Sequence, residues 1–162
     1  SLENRLRLTL EVAAAVAEVA GPARTGIRIS PVSPANDARD ADPTTTFFSL
    51  VERLNPLGLV YLHVVEGATG GPRETDQPFD YLGLRRSFLG TYIANNGYTL
   101  ELALRARAEN RADLICFGRP FIANPDLVAR LRRGAPLAEP DPALLYGGDA
   151  HGYTDYPVLD GV

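Results

Sequence analysis

Residues 113–127, DLICFGRPFIANPDL, place an apolar run directly before a glycine, an arginine and a proline. The run LICF has the length and character of a buried strand. No ordinary turn follows it, because Gly118 and Arg119 lead within a few residues to NPD at 124–126, which is typical of a helix start. A glycine lets backbone amides approach a ligand, and an arginine supplies several donors. The stretch therefore predicts either an anion site after a strand or a plain bend whose arginine faces water.

Strands alternate with helices along the whole chain. Helical spacing of apolar residues predicts helices at 1–20, 46–54, 81–87, 99–110 and 124–134. Nearly continuous apolar runs predict strands at 26–30, 59–65, 90–94 and 114–117. This alternation is typical of an α/β fold with a parallel sheet covered by helices. Four such strands fit either a small open doubly wound sheet or half of an eight-stranded (β/α)8 barrel.

The longest polar segments follow strands. Residues 31–46 and 66–80 are long loops after the first and second predicted strands, whereas the links from helix to strand at 21–25 and 110–112 are short. In either architecture this asymmetry predicts a functional face at the carboxyl ends of the strands. We expect the two long loops to shape a substrate entrance.

Composition limits the class of protein. The chain has 162 residues, 45% of them hydrophobic and 22% charged, which is enough for one domain, 1–162, with a sizeable core. The formal net charge of −4 argues against a nucleic-acid-binding surface. No apolar run approaches the length of a membrane span, and the first residues lack the basic start of a signal peptide. We therefore expect a cytoplasmic protein that binds no nucleic acid and no membrane.

Two reactive residue types are sparse. Cys116 is the single cysteine, so no internal disulfide is possible, and its apolar surroundings favour a small buried hydrophobe over a nucleophile. His63 lies in the middle of LVYLHVV and is expected to be a hydrogen-bonded core histidine rather than a general base. Neither residue suggests a metal site, and none is predicted.

Arg28 is the one charge within a predicted strand that demands an explanation. It lies between Ile27 and Ile29, so it points to the face opposite theirs. In a barrel that face is the lumen near its mouth, where an arginine can hold an anionic or carbonyl-rich cofactor. In an open sheet the arginine can pair with an acid at an edge. The spacing favours neither alternative.

Two turns after neighbouring strands carry glycine. Asn95-Asn96-Gly97 follows the third predicted strand, and Gly118-Arg119 follows the fourth. In barrels, the loops after the last two strands form a recurrent phosphate site. Each turn is unspecific alone, and the pair is the stronger indication of phosphate binding.

A series of segments resembles the C-terminal half of the old yellow enzyme family. The segments are SLENRLRLTLEV, GIRISP, NDARDADP, LHVVEG, GTYIANNGYT, DLICFGRPFIANPDLVARLRRG and AHGYTDYP, in the family's order and spread over essentially the whole chain. The resemblance implies an FMN-dependent, NAD(P)H-oxidising (β/α)8 barrel that reduces activated alkenes. This chain would then supply the helix after strand four, strands five to eight, and the tail.

The resemblance also implies a cofactor site. Arg28 would face the pyrimidine side of the flavin, where a positive charge stabilises the reduced ring. Phe117 would line the pocket near the flavin, and Tyr146 would lie beside flavin and substrate. The FMN phosphate would be bound by the Arg119 guanidinium and by the backbone amides of Asn96, Gly97, Gly118 and Arg119. The turn reads Asn-Asn-Gly where the family is commonly richer in glycine, which leaves open which amide makes which contact.

The family's remaining site residues precede the segment that corresponds to Ser1. They are the strand-one flavin contacts, the His/Asn or His/His pair that binds the substrate carbonyl, and the tyrosine that donates a proton. The resemblance therefore assigns no catalytic residue to this chain and implies a half-barrel completed by an N-terminal chain or segment, so we expect a second polypeptide in the functional particle. The alternatives are a non-catalytic assembly module that binds at most a phosphate ligand, and a sugar-phosphate isomerase barrel, which leaves GIRISP and AHGYTDYP unexplained.

Overall fold

The computed structural model of the chain describes residues 1–146 and 149–159, in two compact units, 1–116 and 117–162. The strands of the first unit are β1 (Gly26–Ile29), β2 (Tyr61–Val65), β3 (Thr91–Asn95) and β4 (Leu114–Cys116). Its helices are α1 (Leu2–Ala20), α2 (Pro43–Leu54), α3 (Tyr81–Ser87) and α4 (Leu100–Ala108). The second unit contains α5 (Arg119–Ala123) and α6 (Leu127–Arg133). Within the described ranges, no helix is both long and apolar enough to cross a bilayer.

The four strands form one parallel sheet in the order β1-β2-β3-β4. Each connection therefore steps to the next strand in the same direction. A doubly wound sheet would instead reverse direction at a switch point. The predicted parallel α/β sheet is confirmed, and its sequential order agrees with part of a barrel rather than with the doubly wound alternative.

The two faces of the sheet differ sharply. One face is covered by helices, and its side chains are buried: Ile29, Leu62, Val64, Tyr92 and Ala94. Helix residues complete this core, among them Leu6, Leu50, Leu54 and Leu84. The alternate strand residues lie on the other face, where Val65 is buried and the following are exposed or half-buried: Arg28, Tyr61, His63, Ile93 and Leu114. We call this second surface the open face.

Polar caps determine where several helices begin. In four helices a side-chain oxygen accepts a hydrogen bond from the backbone amide three residues further on, at 2.8–3.3 Å. The capping residues are Ser1, Asp42, Asp80 and Thr99. Asp42 and the following Pro43 start α2 three residues before the predicted boundary at 46. The prediction was late because it followed the apolar run and overlooked a cap and a proline at the first helical position.

The strands are shifted slightly from their predicted bounds. Val60 belongs to the turn that enters β2, since its amide donates to the carbonyls of Pro22 and Thr25 at 3.2 and 2.9 Å. Asn95 belongs to β3, where it pairs with Val65 and Cys116. β1 and β4 each end one residue early, at Ile29 and Cys116.

The predicted helix at 124–134 was wrong at its start. Gly118 and Pro120 begin the short helix α5, and α6 starts only at Leu127. Asn124 lies between the two helices, fully buried, and does not cap α6. Its Nδ2 donates to the carbonyls of Pro120 and Ala138 at 2.8 and 2.9 Å, and its Oδ1 accepts the Ala138 amide at 2.8 Å. These bonds connect α5 to the segment after α6.

A buried ion pair organises the second unit. Asp126 and Arg130 contact each other at 2.7 Å, and both side chains are buried. Arg130 also donates to the carbonyls of Pro136 and Pro157, and the Leu159 amide donates to Asp126. Such a pair is stable in the interior because its remaining donors and acceptors are satisfied. It therefore holds the tail against α6.

Candidate functional site

Arg28 lies on the open face of β1, as the alternation predicted. Its side chain is exposed, whereas that of Ile29 beside it is buried. In the register of the sheet, Arg28 is level with His63 on β2, which is level with Ile93 on β3. The guanidinium therefore belongs to a row of side chains that the helices of this unit do not cover.

Asn95 orients Arg28. The Nη2 atom of Arg28 donates to Oδ1 of Asn95 at 3.1 Å, and Nδ2 of Asn95 donates to the Cys116 carbonyl at 2.8 Å. Because the amide donates on one side, its oxygen must face the arginine. Within the described residues the partner of Arg28 is thus a neutral amide, and the alternative of an acid at a sheet edge is wrong. Cys116, expected to be buried, is only half-buried.

His63 lies on the open face and is half-buried. Burial lowers the pKa of its imidazole, and the charge of Arg28 lowers it further. Its Nε2 atom is buried and has no hydrogen-bond partner among the described residues. The expectation of a hydrogen-bonded histidine in the main core was therefore wrong in its location and in its bonding.

The turn after β3 has an unusual backbone. Asn96 has φ 103° and Gly97 has φ 61°, and positive φ is uncommon for a residue with a side chain. The Asn96 side chain is buried, and its Nδ2 donates to the carbonyls of Glu66 and Ala68 at 2.8 and 3.0 Å. These bonds offset the conformational cost and join the turn to the loop after β2.

Arg73, which sequence reasoning missed, connects the same two segments. Its Nη1 donates to the Asn96 carbonyl at 2.5 Å, and its Nη2 contacts the carboxylate of Glu66. The guanidinium also lies 4.3 Å from the ring centre of Tyr98. The Tyr98 hydroxyl donates to Glu66 at 2.7 Å. Burial, together with the Glu66 charge, raises the pKa of Tyr98 to about 12, so its phenol stays protonated.

The Gly97 amide remains available for a ligand. Gly97 is exposed, and no hydrogen bond among the described residues uses its N–H. A free amide in a turn of positive φ is a common element of anion sites. In the first unit, the turn expected to bind phosphate thus has an unused donor at its tip, and its phosphate binding remains a prediction.

The loops after β1 and β2 are joined to each other. The Ser33 hydroxyl donates to that of Thr69 at 2.8 Å and accepts the Thr69 amide at 2.9 Å. The Gln77 side chain donates to the Asp40 carbonyl at 3.2 Å. The long loops that were expected to shape an entrance therefore form a connected rim at the carboxyl ends of the strands.

The other predicted site residues lie in the second unit. Phe117 is half-buried, and Gly118 and Arg119 are exposed at the start of α5. Gly118 has an ordinary negative φ of −106°, and a Cβ there would meet nothing within 4 Å. Tyr146 is fully exposed, next to residues 147–148, which lie outside the described ranges. The site roles of these four residues remain predictions.

A known family accounts for this order of elements. The model of the NADH:flavin oxidoreductase / NADH oxidase family matches residues 1–138. The chain belongs to this family. Membership confirms the resemblance to old yellow enzymes, and at the level of the family it confirms FMN as the cofactor and a reduced nicotinamide as the reductant.

Three members of the family show the extent of the match. The 12-oxophytodienoate reductase 2 of Arabidopsis thaliana is 39% identical, over 99% of this chain and 43% of that protein. The old yellow enzyme from Trypanosoma cruzi superposes with a TM-score of 0.90 at 35% identity, over 99% of this chain and 42% of that one. Morphinone reductase in complex with tetrahydroNAD superposes with a TM-score of 0.86 at 44% identity, over 99% of this chain and 43% of that one. The chain spans about half the length of its curated relatives, or somewhat less.

Proposed function

We propose that this chain is the FMN-binding part of an NAD(P)H-dependent ene-reductase that reduces activated alkenes such as enones and nitroalkenes. Family membership supports the reaction class. The observation that carries the proposal is Arg28, an arginine on the open face of the sheet whose direction is fixed by Asn95. Because its partner among the described residues is a neutral amide, the guanidinium keeps its positive charge available for an anionic or carbonyl-rich ligand.

The residues present fit the cofactor. A flavin mononucleotide offers carbonyl oxygens on its ring and a phosphate dianion at the end of its side chain. Arg28 supplies a cation on the open face, and the exposed Gly97 amide supplies an unused donor at a turn. Both kinds of acceptor in FMN therefore have a matching donor in the first unit.

The remaining contacts rest on the resemblance. In this proposal the phosphate binds to the amides of Asn96, Gly97, Gly118 and Arg119 and to the Arg119 guanidinium. Phe117 lines the flavin pocket, and Tyr146 lies beside flavin and substrate. In this proposal the residues named here bind and orient, and the catalytic acid comes from the N-terminal half.

FMN, when bound, supplies hydride transfer from NAD(P)H to the β-carbon of an alkene conjugated to a carbonyl or nitro group. The chain's own residues bind and orient. Arg28 favours negative charge beside the pyrimidine side of the ring, and Asn95 keeps the guanidinium in place. The loops after β1 and β2 limit the access of water and substrate.

Catalysis in this proposal needs an N-terminal half, supplied by another chain or segment. Tyr61 and Leu114 on the open face are 37% and 54% exposed, and β1 and β4 are the outer strands of the sheet. Unpaired edges and an exposed apolar face favour pairing with further strands. The cytoplasmic location and the small-molecule alkene partner belong to the same proposal.

A visible absorption spectrum of the purified protein tests the function, together with intact masses of every polypeptide present. The expected result is a yellow complex that contains a complementary half, is bleached by anaerobic NADPH and is reoxidised by 2-cyclohexenone. In that complex we expect Arg28→Leu to weaken FMN binding about tenfold, the effect of losing one charged contact. Arg24→Leu is the matched control, because Arg24 donates to the Ala20 carbonyl at 2.8 Å at the end of α1.

A non-catalytic half-barrel module that binds at most a phosphate ligand is the second candidate. It is favoured by the two outer strands of the sheet, which allow copies to pair. A colourless species that binds inorganic phosphate and shows no NADPH oxidation would establish this alternative and refute the ene-reductase.

A further inference from the structure

The loop after β2 and the turn after β3 share one buried polar network. At its centre is Arg73, which is far in sequence from the turn but donates to the Asn96 carbonyl at 2.5 Å. Its side chain is largely covered, and the carboxylate of Glu66 beside it is only 7% exposed. A half-buried arginine that binds a carbonyl of the turn after β3 can control the shape of that turn.

Because the peptide bond is planar, the hydrogen bond from Arg73 to the Asn96 carbonyl also sets the direction of the Gly97 N–H. The carbonyl of Asn96 and the N–H of Gly97 belong to the same trans peptide unit, so they point in opposite directions. A donor that fixes the carbonyl on one side therefore fixes the N–H on the other. The Gly97 amide is the exposed donor without a partner among the described residues.

Arg73 is itself held in a single position. Glu66 binds its Nη2, and the Tyr98 ring lies 4.3 Å from its guanidinium carbon. Gly67 has φ 87°, and a Cβ there would collide with the Arg73 carbonyl, so the chain passes Arg73 at close range. Glu66 and Tyr98 thus hold the guanidinium before any ligand binds, and the close passage at Gly67 restricts the backbone from which it extends.

The strain in the turn indicates that its shape is imposed. A non-glycine residue at φ 103° is strained unless its surroundings compensate. The bonds from the Asn96 side chain to Glu66 and Ala68, and the bond from Arg73 to its carbonyl, provide that compensation. Without the loop after β2, the turn would relax.

We propose that Arg73 is a positioning residue that aims the Gly97 amide at the phosphate of FMN without touching the cofactor. The inference rests on the proposed function, because it assigns the phosphate to this turn. It adds a residue of the loop after β2 to the determinants of cofactor choice. Arg73 thereby favours flavins that carry a terminal phosphate over those that lack one.

The experiment compares the dissociation constants of FMN and riboflavin in the flavin-binding assembly that contains this chain. Riboflavin has the same ring system and no phosphate. We expect Arg73→Lys to weaken FMN binding about tenfold and to leave riboflavin unchanged, because one ammonium cannot bind Glu66 and the Asn96 carbonyl as a guanidinium fork does. A merely structural role would weaken both flavins alike.

Arg85→Lys is the matched control. Arg85 forms another half-buried pair with a carboxylate in the same unit, binding Asp113 at 2.7 Å, and it does not contact the turn. We expect this variant to keep both dissociation constants. Glu66→Gln is a second test that keeps an acceptor for Arg73 while removing the charge. It should weaken FMN binding about threefold and leave riboflavin binding unchanged.

Two results would overturn the inference in distinguishable ways. If Arg73→Lys and Glu66→Gln change both flavins equally, or neither, Arg73 has no positioning role at the phosphate. If the unaltered protein binds FMN no better than riboflavin, the phosphate site itself is wrong, and the proposed function fails with it.

Discussion

The face of the sheet that the helices cover, called here the covered face, and the open face carry different kinds of side chain. On β2, Leu62 is fully buried against the helices, whereas Tyr61 beside it is 37% exposed. On β1, Ile29 is buried and Arg28 is exposed. The covered face consists almost entirely of apolar groups, and the open face carries a cation, an imidazole and an amide.

The difference shows how stability and function are divided in this chain. Alternation along a strand assigns successive residues to opposite faces, so one strand can contribute to a core and to a site at once. The covered face supplies burial for the first unit. The open face leaves polar groups available for a ligand.

The largest effect that tests this difference between the two faces comes from a pair of neighbouring substitutions in β2. Leu62→Ala should lower the free energy of unfolding by about 3 kcal/mol, because it leaves a cavity in the packed face. Tyr61→Ala should change it by less, about 1 kcal/mol, since this residue is already 37% exposed. Denaturant titration of both variants measures the contrast, and equal losses would show that the open face is also a core.

The alternation of β1 was readable from the sequence because it needs only adjacent residues. The position of Arg28 between two isoleucines predicted that it lies on the opposite face of the sheet from them, and the structure agrees. The order of the strands was not readable in this way, because alternating strands and helices fitted a doubly wound sheet and half a barrel equally well. Alternation depends on local pattern, which a single sequence displays, whereas strand order depends on how distant segments pack.

The network at the turn after β3 was not readable in the same way. Arg73 lies in a long polar loop, 23 residues before the Asn96 carbonyl that it binds. Such a contact depends on how two loops meet, and loop conformation follows from tertiary packing rather than from periodicity. The signals that could have been used were Glu66 at the end of an apolar strand, which needs a partner when buried, and Asn96 beside a glycine.

A smaller change in the free energy of unfolding, of opposite sign, is expected from a substitution on the covered face. Tyr92 is fully buried there, and its hydroxyl has no hydrogen-bond partner among the described residues. Burying an unsatisfied hydroxyl costs about 1–3 kcal/mol, so Tyr92→Phe should raise the free energy of unfolding by about 1 kcal/mol. Tyr81→Phe is the control and should lower it, because the Tyr81 hydroxyl accepts the Gly67 amide at 2.7 Å. A destabilised Tyr92→Phe variant would reveal a partner for that hydroxyl.

The smallest effect concerns protonation on the open face. Burial, and then the Arg28 charge, lower the pKa of His63 in the folded protein below its ordinary value of 6.5. Below that value the unfolded chain binds the proton more readily than the folded one, so the contribution of His63 to stability is present above pH 6.5 and is lost as the pH falls through the folded-state pKa. NMR titration in a His151→Gln background, which leaves one imidazole signal, should show a depressed pKa that rises toward 6.5 in Arg28→Leu. An unchanged His63 pKa in that variant would mean that burial alone acts, and that Arg28 and His63 do not share the electrostatic environment that the register of the sheet gives them.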